Sequence, residues 1–152
     1  MLHQASCVAI GGRAVLIEGA PGSGKSSLAL ALIDRGAVLV GDDGVELTVL
    51  GGVLRASPAP AIEGLLEVRN VGLVPMPVAH DVPVALVLRL DPTAERLPDV
   101  PELVERAGVM VPLVRLWPDS PVLVLRALAA LSLVDGAGGG LHPFGPAPHH
   151  PR

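Results

Sequence analysis

The segment Gly19-Ala20-Pro21-Gly22-Ser23-Gly24-Lys25-Ser26-Ser27 carries the spacing Gly-x-x-x-x-Gly-Lys-Ser, a pattern that binds polyphosphates for physical reasons. Its glycines let backbone N–H groups turn inward around phosphate oxygens, and a helix starting there adds the positive end of its dipole. Lys25 would span the β- and γ-phosphates, and the Ser26 hydroxyl would ligate Mg²⁺, so ATP and Mg²⁺ are the expected cofactors. Lys25 is the only lysine of the chain. A compact ammonium is kept where a planar guanidinium would not substitute.

A second group is Asp42-Asp43, at the end of the apolar run Ala37 to Val40. Ligands collect at the carboxyl ends of strands in open α/β sheets. One carboxylate could hold Mg²⁺ through water and the other accept a hydroxyl proton, the alternative being a solvated Asp-Asp-Gly turn. Glu67 interrupts an apolar stretch and reads as a metal ligand or a strand-surface acid. His3 could orient or protonate a reacting group, and Arg96 and Arg115 could each stabilise phosphoryl charge or simply be solvated.

These residues need elements to place them. Cys7 to Ile10 and Ala14 to Ile17 read as a hairpin across Gly11-Gly12, feeding the Gly-rich loop. Leu28, Leu32 and Ile33 recur at helical spacing from Lys25 to Arg35, with Gly36 as the stop. Ala37 to Val40 reads as a strand buried on both faces, and Val45 to Leu50 with Val53 to Arg55 as a second hairpin. Ser57 to Pro60 is a break. Val84 to Leu90 reads as a strand, Pro101 to Ala107 as a short helix and Val111 to Leu116 as a further strand. Ser120 as N-cap and Pro121 at the first helical position predict a closing helix to about Val134. The expected organisation is one catalytic domain over 1–135 and a disordered Gly-, Pro- and His-rich tail over 136–152, in which His149 and His150 could bind metal weakly.

Composition narrows the partners. The chain has 152 residues, half of them apolar, with Trp117 and Phe144 as the only aromatic rings and a formal charge of −4. Aliphatic side chains must fill the core, base stacking on aromatic platforms is unsupported, and no basic surface for nucleic acid is expected. A single cysteine, Cys7, gives no disulfide framework and fits a reducing cytoplasm. Met1 to Gln4 has no basic leader pattern, and Val122 to Val134 falls short of the ~20 residues of a membrane span, so no membrane association is expected.

Taken in order, His3, the Gly-rich loop, Gly41-Asp42-Asp43 and Leu66-Glu67-Val68-Arg69-Asn70-Val71-Gly72-Leu73 resemble the HPr kinase/phosphorylase family. The resemblance covers about Leu2 to Val134. It implies a P-loop α/β domain with a central mixed sheet flanked by helices, using ATP to phosphorylate a serine of the phosphocarrier protein HPr. It further implies Asp43 as the base, Ser26 and Glu67 as Mg²⁺ ligands, and His3, Lys25 and Arg96 as further active-site residues, which leaves Asp42 as the carboxylate that could hold Mg²⁺ through water. Cytoplasmic homo-oligomers, hexamers among them, are implied too. The family's Gly-Arg-Asn element near the C-terminus is missing, since Asp119 stands where a cation is expected, so forward transfer is favoured over phosphorolysis. Two other readings stay open: a kinase of the same fold with another substrate, and an ATP-binding module without catalysis.

Overall fold

The computed structural model describes residues 1–134; the expected tail, with His149 and His150, lies outside the described residues. Thirteen elements of regular structure matter for the site. In chain order they are β1 (Leu2–His3), β2 (Ser6–Ile10), β3 (Arg13–Gly19), α1 (Lys25–Asp34), β4 (Val38–Gly41), β5 (Val45–Leu50) and β6 (Val53–Pro58). There follow β7 (Leu65–Val68), β8 (Gly72–Pro75), β9 (Val82–Leu90), β10 (Glu102–Arg106), β11 (Val109–Leu116) and α2 (Leu123–Ser132).

One mixed sheet runs β1-β5-β6-β9-β3-β2-β4, and β11, carrying β10 on its far side, also pairs with β9. Strands β3, β9 and β11 are parallel neighbours, whereas the hairpins β2/β3, β5/β6 and β10/β11 are antiparallel. Strand β9 serves two neighbourhoods. Its first residues, Val82 and Pro83, pair with β6, while Val87 to Leu90 pair with β11. Gly19, Leu90 and Leu116 therefore stand in one row at the carboxyl edge of the parallel strands.

The central strands are buried on both faces, as their continuous apolar runs require, whereas β4, expected to be buried on both faces, lies at the sheet edge and leaves Val38 exposed. Val15, Ile17, Leu86 and Leu88 meet both helices, through Leu28 and Leu32 of α1 and Ala127 and Leu131 of α2. Leu16, Val87, Leu47, Leu54 and Leu113 form a second cluster on the other face. Burying an aliphatic side chain such as Leu32 contributes about 2 kcal/mol. Cys7 is fully buried in that second cluster, and burial pushes its thiol up, far from a reactive thiolate. No helix among the described residues is long and apolar enough to cross a membrane.

Two expectations need correction. Pro101 to Ala107 is not a helix: Glu102–Arg106 is β10, antiparallel to β11. Its Glu-Leu-Val-Glu-Arg order suits a half-exposed strand, and Ala107 and Gly108, with φ of 49° and 82°, make a tight hairpin turn. The closing helix begins at Leu123 with Val122 as its cap rather than at Pro121, because the Ser120 hydroxyl accepts the Val122 N–H in a turn of its own. As expected for a mixed α/β domain, both helices pack on the sheet; they share one of its faces, and its own curled strands cover the other.

Candidate active site

The loop after β3 folds back tightly over the sheet edge. Gly19 has φ 157°, and a Cβ there would come 2.6 Å from Ser23 Oγ and 3.2 Å from Leu90, so only glycine lets the loop approach this closely. Gly22 and Gly24 take φ of 80° and 102°, and α1 starts directly after Gly24. Lys25 Nζ donates to the carbonyl oxygens of Gly19 and Ala20, at 3.0 and 3.1 Å. Ser23 Oγ is buried without a hydrogen-bond partner among the described residues.

Asp42 ties three segments together. Its Oδ1 accepts the hydroxyls of Ser6 at 2.8 Å and Ser26 at 2.7 Å, and its Oδ2 accepts the backbone N–H of Glu67 at 2.8 Å. Asp42 and Ser6 are both buried. The Ser26 proton is thus committed to Asp42, leaving the oxygen's lone pairs for the cleft. Asp43 sits in the left-handed region at φ 62°, in a turn where a Cβ on Gly41 would meet the Gly44 carbonyl at 2.4 Å. A non-glycine residue held there is strained by about 1–3 kcal/mol, which the packed turn must offset.

These parts enclose a cleft of about 230 Å³ whose lining includes Gly22, Gly24, Lys25, Ser26, Ser27, Asp43, Glu67 and Arg69. Glu67 and Arg69 reach it from the β7/β8 hairpin, which the sequence reading did not identify as a hairpin. Its turn signals were present in Asn70, which takes φ 69°, and Gly72, between the mostly apolar runs Leu65–Val68 and Gly72–Pro75. Arg69, part of the Glu67-Val68-Arg69 segment, adds a cation to the cleft that nothing in the local sequence distinguishes from a solvated arginine.

His3 does not line the cleft. Its Nε2 lies 2.7 Å from Glu18 Oε2, at the root of the loop. Glu18, one residue before Gly19, also accepts from Arg89 at 2.9 Å and from Arg106 at 2.9 and 2.5 Å. Sequence reading missed this cluster, because Arg106 was assigned to a helix and nothing local marks Glu18 as buried. Burial pushes the Glu18 carboxyl up, but the hydrogen bonds and charges of Arg106 and His3 outweigh it, lowering it from 4.5 to about 2. The stabilisation is then complete above about pH 4.5 and lost as pH falls toward 2. Glu18→Gln should cost about 3 kcal/mol at neutral pH. Urea melts of both proteins at stepped pH should show their stabilities converging between those limits; parallel curves would refute the cluster's role.

Arg96 and Arg115 stand apart from this cleft. Arg96 lines a recess of about 470 Å³ beside Trp117 and Arg126 that shares no residue with the cleft. Arg115 pairs with Glu102 at 2.9 Å and Asp91 at 3.1 Å, fastening β11 to β10 and to the end of β9.

The donor set fits a magnesium nucleotide. Glycines at positive φ, the orphaned Ser23 hydroxyl and the free N–H groups of the first turn of α1 form an anion cradle. No preformed group of three acidic, His or Cys side chains that could hold a metal exists among the described residues. Ser26 and Glu67 are the side chains that would hold Mg²⁺, an ion usually bound by one or two carboxylates together with substrate phosphates.

A Gly-rich loop between β3 and α1, with two aspartates ending β4, defines a P-loop α/β domain. The family model described as HPr Serine kinase C-terminal domain matches residues 1–85, and the chain belongs to that family. Among curated relatives, the HPr kinase/phosphorylase of Clostridium novyi is 44% identical over 69 residues, 45% of this chain and 22% of that protein. The HPr kinase/phosphorylase of Bordetella pertussis is 51% identical over 63 residues, 41% of this chain and 20% of that protein. The chain thus aligns with about a fifth of the length of these relatives. The solved Hpr(Ser) kinase/phosphatase from Coxiella burnetii superposes with a TM-score of 0.75 at 27% identity, covering 85% of this chain and 92% of that one. The segment matched by the family model holds the loop, Asp42, Asp43 and Glu67; Arg96 lies beyond it.

Proposed function

We propose that this domain transfers the γ-phosphoryl group of Mg·ATP to a serine hydroxyl of HPr, in the cytoplasm and as a homo-oligomer. The observation that carries the proposal is the convergence of Lys25, Ser26, Asp43, Glu67 and Arg69 on one cleft at the carboxyl edge of the sheet. Phosphoryl transfer asks mainly for positioning and charge neutralisation, with one base beside the nucleophile.

The chain's own residues divide that work. Lys25 exchanges its two carbonyl contacts for phosphate oxygens. Ser26, oriented by Asp42, and Glu67 would hold Mg²⁺, which supplies charge neutralisation on the phosphates. Asp42 acts mainly by holding Ser26 and the Glu67 backbone, with any contact to the metal made through water. Asp43 accepts the serine proton as the serine O–P bond forms and the bond from the γ-phosphorus to the β–γ bridging oxygen breaks, ADP leaving with that oxygen, and Arg69 neutralises charge on the equatorial oxygens. His3, bound to Glu18 beneath the loop, supports the site from below.

The test mixes the protein with Mg·ATP and HPr and follows HPr by intact-mass spectrometry. One added phosphoryl group on a serine, absent with Lys25→Ala, is the expected result. ATP binding without any gain on HPr would move the proposal to another substrate of the same chemistry.

A further inference from the structure

Past the phosphate cleft, a second recess of about 210 Å³ opens between α1 and the segment leading from β11 into α2. Ser27, Leu28 and Ala31 form one wall, and Pro118, Pro121 and Val124 form the other. Gly24 and Ser27 line both recess and cleft, so the two adjoin across the first turn of α1. We propose that this recess seats the base and ribose of the nucleotide. The inference rests on the nucleotide-kinase reading above and locates the part of the ligand that the loop motif leaves unassigned.

Three observations support it. The first is reach: Gly19, Leu90 and Leu116 share a row, so the start of the phosphate loop and the end of β11 are two strand spacings apart, roughly 10 Å. A nucleotide bridges such a gap from its phosphates to its base.

The second is chemistry. The walls are aliphatic and proline surfaces that can cover both faces of a heterocycle, and the prolines have no N–H to leave unsatisfied. Two hydroxyls supply polarity. Ser120 Oγ accepts from the Val122 N–H and from Arg126, both at 3.1 Å, which leaves its own proton to donate to a ring nitrogen or ribose oxygen. Ser27 follows Ser26 on the cleft side, where the α-phosphate end of the nucleotide would leave the loop.

The third is exclusion. The larger recesses, of about 470 and 390 Å³ around Arg96 and Val100, share no residue with the phosphate cleft. A base bound there would be separated from its phosphates. Trp117 offers no stacking platform, since its indole N–H donates to Ala94 and its ring packs under Arg126.

Two measurements test the proposal. Calorimetric titration compares ATP with inorganic tripolyphosphate, both with Mg²⁺, on the wild type, Ala31→Phe and Lys25→Ala. Filling the recess with Ala31→Phe should weaken ATP by about tenfold or more and leave tripolyphosphate within about twofold, while Lys25→Ala weakens both. ATP affinity unchanged in Ala31→Phe, with tripolyphosphate still bound, overturns the subsite and leaves the kinase reading standing. Wild-type protein that binds neither ligand overturns both.

Photolabelling of the unaltered protein with 8-azido-ATP needs no variant to fold. Label on peptides spanning 27–31 or 118–124, displaced by ATP, is the expected result. Displaceable label confined to other peptides overturns the proposal.

Discussion

Asp43→Asn should leave Mg·ATP affinity within about twofold and lower phosphoryl transfer to HPr by about a hundredfold or more, the range a positioned general base contributes. Asparagine is the informative replacement because position 43 holds φ 62°, a backbone state that Asn tolerates and Ala does not favour. The variant thus removes the proton acceptor without reshaping the turn between β4 and β5. Nucleotide binding and HPr phosphorylation should be measured on the same preparation. Transfer that persists at the wild-type rate would remove Asp43 from the role of base.

Asp42→Ala should act differently, lowering stability and activity together. Among the described residues, Asp42 is the acceptor for the Ser6 hydroxyl, the Ser26 hydroxyl and the Glu67 N–H. A buried donor left without a partner costs about 1–3 kcal/mol; Ser6 is buried, the bonds from Ser26 and the Glu67 N–H are part-buried, and the three share one acceptor, so a net loss of about 3 kcal/mol is expected. For a domain of this size that is a drop of roughly 10 °C in Tm. Transfer should fall as well, because neither Ser26 nor the β7/β8 hairpin would be held toward the cleft. A melting curve superimposable on that of the wild type would show that the hub carries no weight.

Much of the site was legible in the sequence because its signals are local. The loop's spacing, the Gly11-Gly12 and Gly51-Gly52 turns, and the aspartates after an apolar run each constrain the backbone within a few residues. What escaped depends on pairing between distant segments. Nothing near Glu18 announces that Arg89 and Arg106 will meet it, since the first comes through the β3–β9 register and the second through a strand that looked helical. Helix propensity of Glu-Leu-Val-Glu-Arg lost to pairing with β11, a tertiary preference that a window of sequence does not contain. The β7/β8 hairpin was missed although its turn residues are ordinary, because Glu67 was weighed as an isolated acid rather than as one rung of a ladder. Arg96 resembles a family position, yet the fold places it by Trp117, in a recess that shares no residue with the cleft around Lys25.

The double membership of β9 bears on the order in which the molecule assembles. Its hairpins close over short loops and can form early, but Val15 to Gly19 gain their second neighbour only when Leu86 to Leu90 arrive from far along the chain. During synthesis the phosphate loop would emerge long before the strand that fixes its base. Nucleotide binding should therefore develop with the slowest folding phase, as a late sign that the central parallel strands have joined, rather than with the early formation of α1.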